Sequence, residues 1–282
     1  MRLFLGILFI LLCIYMSAQN DGVFESPQYE GNPCNALGNP FILDKKPVPY
    51  TYTREGDVVW EKTVWRELHL KEKQNQTLYY PLEYLPCRIS LFQIMSKYIL
   101  EGKIIPFEDE NFNKPLSTQQ INKMLRSPTE VINIVYDEKA NEIPDTLQGF
   151  DSVSILTNVL KVRLREDWFY NKQTSSLEVR TVAMGFYEYK ENKEAYRELF
   201  WVYFPSTRKY LAKYRAYNPK NENDISSFDD IFRRREFASV ITKESNVYDR
   251  EIGEYCKGLD AVLESDRIKY DVFKWEHDLW NH

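Results

Sequence analysis

Two stretches of the 282-residue chain bring ionisable side chains close enough to do chemistry. In the segment from Phe228 to Arg250, "FDDIFRRREFASVITKESNVYDR", Asp229 and Asp230 adjoin and Arg233, Arg234 and Arg235 follow. Adjacent carboxylates can hold a divalent cation or share a proton, and arginines in a row can hold phosphate. Laid on a helix, the same residues satisfy each other instead. Asp229 and Arg233 are four positions apart, as are Asp230 and Arg234, each with the acid on the N-terminal side, the orientation in which surface pairs contribute about 0.2–0.5 kcal/mol. Steps of about 100° fan the three arginines around the helix, whereas a phosphate-tracking surface needs them on one face. The second stretch is Glu166–Asp167. It ends an alternating run, where consecutive side chains point to opposite faces of a strand, so without a bulge the two cannot address one substrate atom.

Other chemistry finds little purchase. The chain has no glycine-rich phosphate loop, no HExxH and no GxSxG elbow, and its cysteines show no CxxC rhythm. Only His69, His277 and His282 could join them around zinc. No catalytic residue, metal or cofactor is therefore expected. "NQT" at Asn75–Thr77 fits a glycosylation acceptor. Twenty tyrosines, sixteen phenylalanines and six tryptophans supply large contact area at small entropic cost. Such rings serve protein interfaces, and they also line sugar-binding grooves. A periplasmic peptidoglycan- or glycan-binding module is the alternative, with a carboxylate-dependent hydrolase using Glu166 and Asp167 behind it.

Residues 1–18 have the order of a secretory signal peptide: an early Arg2, an apolar run from Leu3 to Tyr15, then small residues. Cleavage is expected between Ala18 and Gln19. The formal net charge of −5 becomes more acidic once Arg2 leaves, which disfavours nucleic acid and anionic membranes as partners. Export places the cysteines in an oxidising compartment. Cys13 departs with the leader, leaving the odd set Cys34, Cys87 and Cys256, of which Cys34 is the candidate for a free or intermolecular thiol.

The elements that would carry these residues divide the chain further. Residues 19–56, punctuated by five prolines, read as an extended arm. An α+β core is expected over 57–258 and a C-terminal helix over 259–282. Asp57 is a plausible N-cap for a helix over "VVWEKTVWRELHLKEK", where Trp60, Val64 and Leu68 share an arc. Further helices are predicted over "RISLFQIMSKYILEG", stopping at Gly102, and from Ser117 through "TQQINKMLRS". The period then changes. Leu160, Val162 and Leu164 alternate with Lys161, Arg163 and Arg165, and "LEVRTVAMGFYEY" answers them as an antiparallel hairpin. "LFWVYFP" is apolar on both faces, as inside a sheet, and Ser206 can cap the short helix that follows it. Read as one helix, the 228–241 stretch carries Phe228, Ile231, Phe232 and Ala238 on one side and Phe237, Val240 and Ile241 on the other. The second set is the candidate partner interface. Ile268, Val272, Trp275 and Leu279 make the seam of the last helix. The class is α+β: N-terminal helices, a central antiparallel sheet and C-terminal helices.

The segments "DVVWEKTVWRELHLKEKQNQTLYYP", "KVRLREDWFYNKQTSSLEVR", "LFWVYFP", "YNPKN" and "FDDIFRRREFASVITKESNVYDR" resemble, in that order, the GldN gliding-motility family, called PorN in non-gliding relatives. The likeness runs from about Asp57 to Arg250. It implies a non-enzymatic structural subunit of the type IX protein secretion and gliding machinery. The subunit would lie in the periplasm against the inner face of the outer membrane, touching that membrane only through partners. Those partners would be a GldK/PorK-type outer-membrane lipoprotein, with which it forms a ring oligomer, and the periplasmic domain of a GldM/PorM-type motor protein. The resemblance implies no cofactor.

Overall fold

The structure is a computed structural model and describes residues 42–43, 45–85, 87–125, 127–136, 142–151, 153–190, 193–219, 221 and 224–280. The chain divides into two units, residues 1–43 and 44–282, and the helices and strands of the described residues belong to the second.

In chain order the second unit comprises β1 (Val58–His69), α1 (Gln76–Tyr79), α2 (Leu91–Leu100), β2 (Pro106–Phe107), α3 (Thr118–Leu125), β3 (Ser127–Tyr136), β4 (Glu142–Asp151), α4 (Val153–Asn158), β5 (Val159–Asn171), β6 (Ser176–Lys190), β7 (Ala195–Tyr203), α5 (Phe204–Leu211), α6 (Phe228–Arg234), β8 (Val240–Glu244), α7 (Ile252–Tyr255) and α8 (Leu259–Trp280). Six strands form one antiparallel sheet in the order β2-β7-β6-β5-β1-β8, and β3 and β4 pair as a separate hairpin. The class is mixed α+β, with helices before, within and after the sheet.

Register explains the core. Leu68, Val162, Phe186 and Phe200 stand opposite one another across β1, β5, β6 and β7, and all four are fully buried. Phe92 of α2 lies on the last two, its ring 5.5 Å from that of Phe186 and 6.1 Å from that of Phe200. One row away on the reverse face run Glu67, Arg163, Gly185 and Trp201. A Cβ on Gly185 would come within 2.7 Å of the Trp201 indole, so this row closes only over glycine.

Several expectations hold. α2 starts at Ser90 with a capping box to Gln93 and ends before Gly102, whose φ of +70° suits the residue past a helix C-terminus. α3 follows Ser117, which exchanges hydrogen bonds with Gln120. The β5–β6 hairpin closes over the polar link, and β7 is buried from Leu199 to Val202.

Three expectations fail. The segment capped by Asp57 is not a helix but the twelve-residue strand β1. Trp60, Val64 and Leu68 are spaced by four, an even number, so they share a face of a strand as readily as of a helix. The intervening charges are paired across the sheet: Glu67 with Lys161 and Arg163, and Lys62 with Glu244. Ser206 does not cap α5, which begins at Phe204 with Tyr203 before it and Pro205 in its first turn. The helix read over 228–241 stops at Arg234. Arg235 adopts φ 57°, ψ 39°, which ends it, and the β-branched run Val240–Thr242 pairs with β1 as the edge strand β8.

Candidate interaction surface

The acids and arginines that invited chemistry are engaged inside the fold. Asp229 accepts two bonds from Arg208, 2.7 Å from Nε and 3.0 Å from Nη2, and both side chains are buried. The same guanidinium donates to the Val48 carbonyl at 2.7 Å and lies 4.3 Å from the Tyr50 ring centre. Asp230 turns back to cap its own helix, accepting from the Ser227 amide and hydroxyl, and takes a 2.5 Å ion pair from Lys45. Burial alone would raise its pKa, but Lys45 and Ser227 favour the charged form and hold it at about 2. The expected ion pairs to Arg233 and Arg234 four residues on are therefore replaced: Arg233 approaches Asp230 only at 3.7 Å, and Arg234 donates to Ser226. A seven-residue helix with its acids in the buried first turn cannot offer them to solvent.

Arg235, held in the left-handed conformation, forks onto Glu166 with two bonds of 2.9 Å, and Trp168 Nε1 donates to the same carboxylate at 3.0 Å. Glu166 is fully buried. Arg66 nearby is pulled below its ordinary pKa by burial, with Glu166 opposing that shift. Asp167 accepts instead from Thr63. The sheet does shift register between Arg165 and Glu166, yet the two acids go to different partners. Among the described residues no group of three His, Cys, Asp or Glu side chains could hold a metal ion.

The proposed glycosylation acceptor is also structural. Asn75 is fully buried, donating to the His69 and Ala238 carbonyls and accepting from the Ala238 amide, so its nitrogen cannot take a glycan in the folded chain. Cys87 is disulfide-bonded, and Cys256 is free and half-buried. Cys34, Ala18 and Gln19 lie outside the described residues.

The three candidate interface residues are not brought together on one surface. Phe237 is buried, 5.7 Å from the Phe232 ring and beneath Arg235. Ile241 is buried in a cluster with Val64, Trp168, Ile252, Ile268 and Val272, and its amide donates to Ser265 of α8. Val240 is half-buried and borders an open cleft of about 430 Å³ between β8, α7 and the sheet. The floor of that cleft is ionic: Glu67 joins Lys161 at 2.8 Å and Arg163 at 2.9 Å, and Arg163 reaches on to Glu251 at 2.8 Å. Burial raises the Glu67 pKa, but the bond from Lys161 and the charge of Arg163 carry it below the usual value. The Thr242 hydroxyl, also lining the cleft, is buried without a hydrogen-bond partner.

Next to the cleft, α8 has two apolar sides. Ile268 and Val272 are buried, and Trp275 stacks on Trp60 with ring centres 4.7 Å apart. Leu279 falls among the side chains left undescribed. Leu259, Val262, Leu263, Tyr270 and Phe273 are all exposed on the other side. The sequence reading followed the seam alone and passed over this second stripe, which the i, i+3, i+4 spacing of 259, 262 and 263 does signal.

The sequence of the family described as gliding motility associated protein GldN matches residues 53–281. The chain belongs to the GldN family. A search of curated proteins finds no match. The matched span runs through every element of the sheet, the buried acid–arginine pairs and α8, so GldN membership rests on the whole folded unit rather than on one motif. It makes the chain a component of the gliding-motility machinery. No helix of the described residues is long and apolar enough to cross a membrane.

Proposed function

We propose that the chain is a non-enzymatic structural subunit of the type IX secretion and gliding apparatus. Exported to the periplasm, it assembles with a GldK/PorK-type outer-membrane lipoprotein into a ring that couples to a GldM/PorM-type inner-membrane motor. One observation carries the reading beyond family membership. The two most deeply buried of the clustered acids each sit against an arginine, Glu166 on Arg235 and Asp229 on Arg208, while large apolar side chains are left in solvent along α8. A chain that neutralises its carboxylates internally and exposes rings is suited to holding neighbours.

Affinity purification of the full chain from membranes, followed by electron microscopy, tests this: the lipoprotein is expected to co-purify in ring-shaped particles. Recovery of a lone monomer would refute the proposal. At the cleft, Val240→Asp should cut lipoprotein recovery severalfold while the far-ultraviolet circular dichroism stays native. Full recovery with that variant would remove Val240 from the interface.

A further inference from the structure

The outer stripe of α8 is apolar and exposed to solvent. Leu259, Val262, Leu263, Tyr270 and Phe273 lie within one sector of the helix, and all are exposed although the opposite side of the same helix is committed to the sheet. From Leu259 to Phe273 the stripe is roughly 20 Å long at 1.5 Å per residue. Convex and narrow, as one face of a helix is, it matches another helix better than it matches a deep pocket or an added strand.

Charge then chooses among helices. Between Leu259 and Trp280 the chain carries six acidic residues against three basic ones. The basic side chains Arg267 and Lys269 are already taken up along the helix, Arg267 by Glu264 and Asp271, and Lys269 by Asp266. Asp260 flanks the stripe at one end with no such cation among the described residues, and Asp278, with only the His277 imidazole 4.0 Å away, flanks the other. A second copy of α8 would bring the same acidic excess against it, and an anionic lipid surface would be repelled likewise. We propose that the outer stripe of α8 binds an amphipathic helix of another protein, apolar on one side and rich in lysine or arginine along its margins.

This inference rests on the reading that the chain works by holding other proteins, and it adds where one of them is held. The test uses the full chain in intact cells, with Phe273 replaced by a photo-crosslinking phenylalanine analogue. Mapping of the adduct should give a peptide from a different protein, with apolar residues three and four apart and an excess of basic over acidic residues. The paired change Leu263→Asp with Phe273→Asp alters only exposed side chains, so circular dichroism should stay native. Adducts from the analogue at Leu259 should fall at least tenfold when Leu263→Asp is present. Asp260→Lys with Asp278→Lys should lower the yield severalfold, as should added salt before lysis of permeabilised cells. Adducts to a second copy of this chain, to lipid or to nothing, or a yield indifferent to the charge reversals, would overturn the proposal. Those outcomes leave the ring-subunit reading standing if the lipoprotein still co-purifies, so the two can fail separately.

Discussion

Glu166 shows how a residue that looks chemical can be architectural. It is fully buried on the central strand, and its charge is tolerable there because Arg235 grips both oxygens while Trp168 donates to one. Removing one partner of such a pair strands the other charge, at a cost of about 3–5 kcal/mol. Arg235→Ala should therefore lower the urea midpoint strongly with an unchanged slope, and an unaltered midpoint would mean water reaches the carboxylate. Asp230 gives the pH counterpart. Its folded pKa, about 2, lies below the ordinary carboxylate value, so its contribution to stability is complete above that value and is lost as pH falls toward 2. The stability gap between the native chain and Asp230→Asn should thus close between about pH 4 and pH 2, read from denaturant melts at each pH; a gap constant across that window would assign the effect to capping alone. None of these pairings could be read from "FDDIFRRR". Arg208, Lys45 and Glu166 are distant in sequence, and the local pairs that the spacing offers were the wrong ones.

Elements were legible where one period was unambiguous. The β5–β6 alternation, the α2 stop at Gly102 and the buried β7 run each allow a single reading, and the structure has them. β1 fails that test because residues four apart lie together in both periods, and cross-strand partners such as Arg163 for Glu67 decide the matter from about a hundred positions away. The hairpin of β3 and β4 went unremarked although "VINIVY" is rich in β-branched residues. Gly185 marks another limit. Nothing in "VAMGFYEY" says that an indole must cross that position; the contact belongs to the β6–β7 pairing. With the Trp201 ring 2.7 Å from the new Cβ and buried, Gly185→Ala should destabilise by about 1–3 kcal/mol through overpacking. A thermal melt checks it, and Trp201→Leu in the same chain should recover part of the loss.

At the scale of the whole folded unit, side-chain and backbone contacts reach back to residues before β1. The segment before β1 runs as a strap: Lys45 pairs with Asp230, the Val48 carbonyl accepts from Arg208, and Thr51 and Thr53 accept from Arg180. Tyr50 lies between the guanidinium groups of Arg208 and Arg180, its ring centre 4.3 Å from one and 5.4 Å from the other. Prolines at 47 and 49 lower the entropy lost in holding an extended path. The two arginines should fail differently. Arg180→Ala removes strap contacts and strands no buried acid, because Glu178 keeps a bond from Asn171. Arg208→Ala strands the buried Asp229. Limited proteolysis under native conditions should therefore cut Arg180→Ala severalfold faster between Pro49 and Arg54 while its melting temperature falls by only a few degrees, the mark of local opening. Arg208→Ala should lose the whole domain's cooperativity at far lower denaturant, its cuts spread over β5 and β6 as well. Equal behaviour of the two variants would show that the strap and the domain unfold as one body.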